Sequence, residues 1–145
     1  MKIVRLICLS LLGVSGGLVA AEEKSCTLTV NVLRAVPGTG QILVSVFSSV
    51  ENYLKQPIED AVLPVDHTGS ATIVLTLPKG TYSVSVVYDK NSNGKLDTGF
   101  MRIPKERIAF SNNARSRFGP PKFKDSSFNL SSDKEINLFL VEAKE

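Results

Sequence analysis

The stretch SATIVLTLPKGTYSVSVVYDKNSNGKLD, residues 70–97, decides the fold. Its first part alternates, with Ala71, Ile73, Leu75 and Leu77 on one side and Thr72 and Thr76 on the other, which is the period-two signature of a half-buried strand. After Pro78-Lys79-Gly80 the alternation resumes, with Tyr82, Val84, Val86 and Tyr88 facing one way and Ser83 and Ser85 the other. Two such runs around a short Pro/Gly turn predict a hairpin. The second strand then runs directly into an acidic, amide-rich loop, Asp89 to Asp97.

The same alternation recurs on both sides. Cys26 to Val36 carries Leu28, Val30 and Val32 on one face, and Gln41 to Ser48 carries Ile42, Val44 and Val46. The Pro37-Gly38-Thr39-Gly40 break between them predicts a hairpin or a corner between sheets. Ala61 to Val65 is a brief edge-type strand, and Ser127 to Leu130 and Lys134 to Val141 are the last two, with Ile136, Leu138 and Leu140 inward. Ser49 to Asp60 has Val50, Tyr53 and Leu54 at helical spacing, which predicts one helical turn capped by Ser48 or Ser49 and limited by Pro57. About seven strands and at most one short helix imply an all-β protein, an antiparallel β-sandwich of immunoglobulin-like or transthyretin-like type with one long ordered loop. The chain has no tryptophan and, apart from Cys8 near its start, only Cys26, which excludes the antibody-type domain with its buried Trp and paired cysteines.

The first residues follow another logic. Lys2 and Arg5 precede the apolar run Leu6 to Val19, which is too short and too glycine-rich to span a bilayer, and Val19-Ala20-Ala21 offers small residues for cleavage. Residues 1–21 are therefore expected to be a cleaved signal peptide and residues 22–145 a single exported domain, periplasmic or secreted, with no transmembrane segment after cleavage. Cys26 would then be a lone thiol, and its place at the head of an alternating strand predicts burial.

Without Lys2 and Arg5 the chain is nearly neutral, but the segment from Lys90 to Lys124 holds nine basic residues against two acidic ones. Such a surface suits an anionic or carbohydrate component of the cell envelope, or is simply a solvated face. Arg102, Arg115, Arg117 and Lys122 are the candidate contacts. A nucleic-acid partner is not expected, because export argues against one and Phe110, Phe118 and Phe123 serve better as core anchors than as stacking platforms.

Asp89, Asn91, Asn93, Gly94, Lys95 and Asp97 match the first nine positions of a calcium-binding loop, in which oxygen ligands come from positions one, three, five, seven and nine and glycine turns the chain at six. Lys95 would contribute its backbone carbonyl. Position twelve is Phe100, so a bidentate carboxylate must come from elsewhere, with Glu106, Asp125 and Asp133 as candidates. Two carboxylates and two amides place such a site at a dissociation constant of about 0.1–1 mM. Asn93-Gly94 is equally a strong metal-free turn signal, so a calcium loop and a plain turn both stand. The thirty residues that follow lack strand periodicity, yet contain Phe100, Ile103, Ile108, Phe110, Phe118 and Phe123. Connections longer than about 15 residues are uncommon unless functional or tied down, so an ordered excursion packed on the sandwich is expected, with the acidic loop as its clasp.

The runs YDKNSNGKLDTGFMRIPKE and FSNNARSRFGPPKFKDSSFNL resemble the signature of the domain of unknown function 2141 family, and the resemblance extends over essentially the whole mature chain. It implies a small secreted or periplasmic β-sandwich and assigns no activity.

The residues themselves point first to a non-catalytic binding or envelope-associated module, with a purely structural sandwich without ligand as the alternative. A hydrolase ranks last. His67, the sole histidine, sits in the turn Asp66-His67-Thr68-Gly69, and no nucleophile or zinc-type ligand pair is recognisable. Asp89 and Asp97 as a carboxylate pair for glycoside hydrolysis are better used as loop residues, and Ser111-Asn112-Asn113 reads as a polar turn rather than a cleft wall.

Overall fold

The computed structural model describes residues 24–143. The expected signal peptide lies outside the described residues. Eight strands form two sheets: β1 (Ser25–Leu33), β2 (Gln41–Phe47), β3 (Glu59–Pro64), β4 (Ala71–Pro78), β5 (Gly80–Asp89), β6 (Ile108–Phe110), β7 (Phe128–Leu130) and β8 (Lys134–Phe139). One sheet has the order β4-β1-β8, and the other β3-β2-β5-β6, with β7 also paired to β5. The inward sets of the two sheets close on one another. Leu28, Val30, Val32 and Leu138 from the first and Ile42, Val44, Val46, Val84 and Val86 from the second share one core with Leu130. This is the all-β sandwich that the alternation implies. Among the described residues no helix is long and apolar enough to cross a membrane.

The pairings depart from the sequence reading in three places. First, β4 and β5 are not a hairpin, because β4 pairs with β1 and β5 with β2 in the opposite sheet. Only Lys79 separates them, and the Tyr82 hydroxyl donates to the Pro78 carbonyl at 2.8 Å, so the chain bends from sheet to sheet instead of folding back. Second, β1 and β8 run parallel, Val30 opposite Ile136 and Val32 opposite Leu138. The Ser131–Asp133 turn carries the chain across the sandwich, so β8 arrives beside β1 in the same direction. Third, β6 adds an eighth strand, three residues long, antiparallel to β5 with Val87 opposite Ile108 and Ser85 opposite Phe110.

The helical turn expected in Ser49–Asp60 is a run of turns. Its cap does form, with the Ser49 hydroxyl accepting from Asn52 N–H at 3.4 Å, but Leu54 takes a left-handed φ of 55° that stops propagation. Among the described residues the one α-helix is the short α1 (Phe123–Ser126). Cys26 is buried, as its strand position implies.

Three serines at zero exposure stitch the excursion to the core. Ser111 accepts from Val84 N–H at 2.9 Å and donates to the Ser126 carbonyl, while Ser126 and Ser83 hydroxyls meet at 2.7 Å. Two residues after Ser111, Asn113 reaches the other sheet, accepting from Phe139 N–H at 3.1 Å and donating to the Asn137 carbonyl at 3.2 Å. Ser111-Asn112-Asn113 is thus a staple between sheets.

Candidate functional site

The corner between β1 and β2 sets the floor of the acidic loop. Gly40 has φ +73°, and a Cβ there would stand 2.7 Å from the Asp89 carbonyl, so only glycine admits the end of β5 this close. The Tyr88 hydroxyl fastens the same corner, donating to the Thr39 carbonyl at 3.0 Å and accepting from Val36 N–H at 3.3 Å.

Asp89, the last residue of β5, is fully buried. Its carboxylate accepts from the Gln41 amide at 2.8 Å, from Asn93 N–H at 3.0 Å and from Gly94 N–H at 2.7 Å. The loop is therefore wound around its first residue, with Gly94 turning the chain at φ +82°. Above it Asp97 accepts from the side-chain amides of Asn91 at 2.6 Å and Asn93 at 2.9 Å. Lys95 N–H donates to the Asn93 side chain at 3.0 Å.

Glu106 reaches this loop from outside. Its two oxygens accept from Lys90 N–H at 3.2 Å and from Asp97 N–H at 3.0 Å, bracing both ends of the turn. Of the three carboxylates expected to complement the loop it is the one brought there. Asp133 caps Thr27 N–H at 2.8 Å near the start of β1, whereas the loop lies by the corner that follows the end of β1. Asp125 lies on α1, whose Ser126 contacts Ser83, six residues or about 20 Å along β5 from Asp89. Gln41 escapes sequence reasoning because only the register, Gln41 opposite Asp89, brings it to the carboxylate.

Among the described residues no three histidine, cysteine, aspartate or glutamate side chains gather as a metal cluster. The loop carboxylates are instead each turned onto N–H groups, Asp89 onto Gln41, Asn93 and Gly94, Asp97 onto Asn91 and Asn93, and Glu106 onto Lys90 and Asp97. Each carboxylate oxygen carries two lone pairs, so the hydrogen bonds leave acceptor capacity for a hard cation.

Burial alone would push the Asp89 carboxyl up, but hydrogen bonds from Gln41, Gly94, Asn93 and Ser92 outweigh it and hold the group below its ordinary range. Asp66 is held low as well, chiefly by the Thr68 hydroxyl and then by Ser70 and Thr68 N–H, in the turn where His67 stands exposed. A carboxyl depressed in the folded state stabilises above its unfolded value and loses that contribution as pH falls through the folded value. The urea midpoint, followed by circular dichroism, is accordingly expected to hold from neutrality to about pH 4 and to fall below it.

The four candidate cations separate. Arg102 is exposed beyond the Asp89 end of β5, while Arg115, Arg117 and Lys122 are exposed in the segment between β6 and α1, toward the start of β5. They do not make one patch, because β6 lies between them and its register sends the chain to opposite ends of the sandwich.

The expected apolar anchors divide too. Phe110 is buried and Phe123 packs edge-on against Tyr53 at 5.6 Å, but Phe100 and Phe118 are 86% and 84% exposed. Phe100 begins the exposed 3-10 turn that runs to Arg102, and the Phe118 ring lies near its own neighbour, the Arg117 guanidinium, at 5.7 Å. Beside Phe100, an open cleft of about 760 Å³ is lined by Val36, Tyr88, Lys90, Ile103 and Lys105.

No curated protein matches the chain. A family model described as an uncharacterized protein conserved in bacteria matches residues 30–137, from the third inward position of β1 to β8, and so takes in both sheets and the whole acidic loop. With that span and this sandwich, the chain belongs to the domain of unknown function 2141 family.

Proposed function

We propose that the protein is an exported, non-catalytic binding module whose Asp89–Asp97 loop takes up calcium and whose basic surface meets an anionic or carbohydrate component of the cell envelope. Glu106 carries the reading. A calcium loop lacking its twelfth ligand needs a carboxylate from elsewhere, and Glu106 already lies against Lys90 and Asp97. The Gly94 N–H bond to the first aspartate adds support, since it winds the loop around the position where ligation would begin. Export rests on the charged, apolar and small-residue order of residues 1–21.

Calcium is expected to raise the stability of the chain from Glu22 onward by about 0.4–1.4 kcal/mol at one to ten times the dissociation constant. Thermal unfolding with calcium and with chelator reads this, and Asp97→Asn should abolish the difference while leaving the fold intact. An identical transition in both buffers removes the metal.

A second reading has an observation of its own. Asp97 and Glu106 are engaged by Asn91, Asn93 and two backbone N–H groups, which suits a metal-free clasp in a purely structural domain. The same unfolding experiment separates the two.

A further inference from the structure

The segment between Asp97 and Lys105 forms a braced finger. Lys105 N–H donates to the Asp97 carbonyl at 2.9 Å, Thr98 and Pro104 form a bridge, and Gly99 N–H donates to the Ile103 carbonyl at 2.8 Å. At its apex Met101 and Arg102 both hold left-handed backbone, φ 54° and 60°, a conformation disfavoured for non-glycine residues. Two further bonds keep the apex, Arg102 N–H to Gly99 and Ile103 N–H to Phe100, both at 3.2 Å. The strained turn holds two consecutive apolar side chains in water, Phe100 at 86% and Met101 at 78% exposure.

Cations lie on the cleft beside Phe100. Lys90, Lys95, Arg102 and Lys105 are exposed in the same loop region, while the nearby carboxylates of Asp97 and Glu106 are turned onto amides and backbone N–H groups. The cleft beside Phe100 places Lys90, Lys105 and Arg107 along apolar walls from Val36 and Ile103; its two carboxylates are Glu106, turned onto N–H groups, and Glu142, paired to Arg107 at 3.5 Å. An apolar tip above a cationic collar complements one surface in both respects: anionic headgroups outside, hydrocarbon beneath.

We infer that the Phe100–Met101 finger docks on an anionic phospholipid bilayer, with Phe100 and Met101 entering the interface and Lys90 and Lys105 receiving lipid phosphates at the cleft. This deepens the binding reading above by naming its partner, and it does not require the metal. Phe118 at the far end of the sandwich provides an internal control, since a single flat surface cannot meet both ends.

The chain has no tryptophan, so Phe100→Trp introduces a lone reporter. The chain from Glu22 onward, which holds every described strand, is mixed with vesicles of equal parts phosphatidylglycerol and phosphatidylcholine, or of phosphatidylcholine alone. The emission of the Phe100→Trp variant is expected to shift to shorter wavelength only with the anionic vesicles, and that of Phe118→Trp to stay unchanged. In co-sedimentation, Phe100→Ser with Met101→Ser should lower partitioning about tenfold or more. Lys90→Gln and Lys105→Gln should each lower it about fivefold. All four positions are exposed, so melting temperatures should not move, and a variant that melts early is replaced by the corresponding alanine.

The proposal is overturned by an unshifted Phe100→Trp emission, by a response of Phe118→Trp instead, or by partitioning that the double serine variant leaves unchanged. Displacement from vesicles by equimolar soluble glycerol phosphate also overturns it, because the cleft would then be a pocket for a small anion. Running every arm with calcium and with chelator keeps the two readings apart. Vesicle binding without a calcium-dependent melting shift retains the finger and removes the metal, and the converse removes the finger alone.

Discussion

Asp89→Ala is expected to lower the unfolding free energy by about 3–5 kcal/mol at neutral pH, since removing a buried charged acceptor leaves its donors without it. Three donors lose it at once: the Gln41 amide and the Asn93 and Gly94 N–H groups. Water can reach part of the opened loop, which keeps the loss below the sum of three charged hydrogen bonds. The sign of the pH effect gives a sharper check. Because the folded-state carboxyl is depressed, its contribution is complete above the unfolded value of about 3.9 and vanishes below the folded one. Urea unfolding of the two proteins should differ fully at neutrality and converge in acid. A gap that persists unchanged in acid would show that the charge of Asp89 contributes nothing.

Ser111→Ala is the second large effect, about 2–4 kcal/mol, by a different mechanism. The hydroxyl serves two backbone groups that water does not reach, accepting from Val84 N–H and donating to the Ser126 carbonyl, and each orphaned buried group costs about 1–3 kcal/mol. Ser83→Ala offers the comparison. Its hydroxyl meets those of Ser126 and Tyr53, and Ser126 keeps alternative partners in Tyr53 and in the Lys122 and Phe123 carbonyls, so the loss should be about 1 kcal/mol. Chemical denaturation of both variants tests the ranking, and equal losses would place the effect in packing rather than in the orphaned backbone.

What could be seen in advance follows from range. The inward sets of β1, β2 and β5 are dictated by a period of two, a local property, and every one of Leu28, Val30, Val32, Ile42, Val44, Val46, Val84 and Val86 is buried. Partnership between strands is not local. A Pro-Lys-Gly turn fits a hairpin and a sheet-to-sheet bend equally, and only the burial of β4 against β1 decides. β6 is three residues long, too short to show alternation, and forms because β5 offers it an open edge. The acidic loop was legible because Asp, Asn and Gly act on their own neighbours. Its contact with Gln41 was not, since it depends on strand register, and Glu106 stood only as one of three candidate carboxylates until the finger put it in place. Phe100 and Phe118 show the limit of composition: hydrophobicity alone places a side chain inward, and a braced turn reverses it.

The parallel pairing of β1 with β8 has a temporal meaning. β1 lies at the centre of its sheet, yet its neighbours come from residues 71–78 and 134–139, so it stays unpaired on at least one edge until residues 134–139 have been made. Closing such distant segments is slow relative to local contacts. A nascent chain therefore cannot complete the first sheet before β8 has emerged, however early the other strands are made.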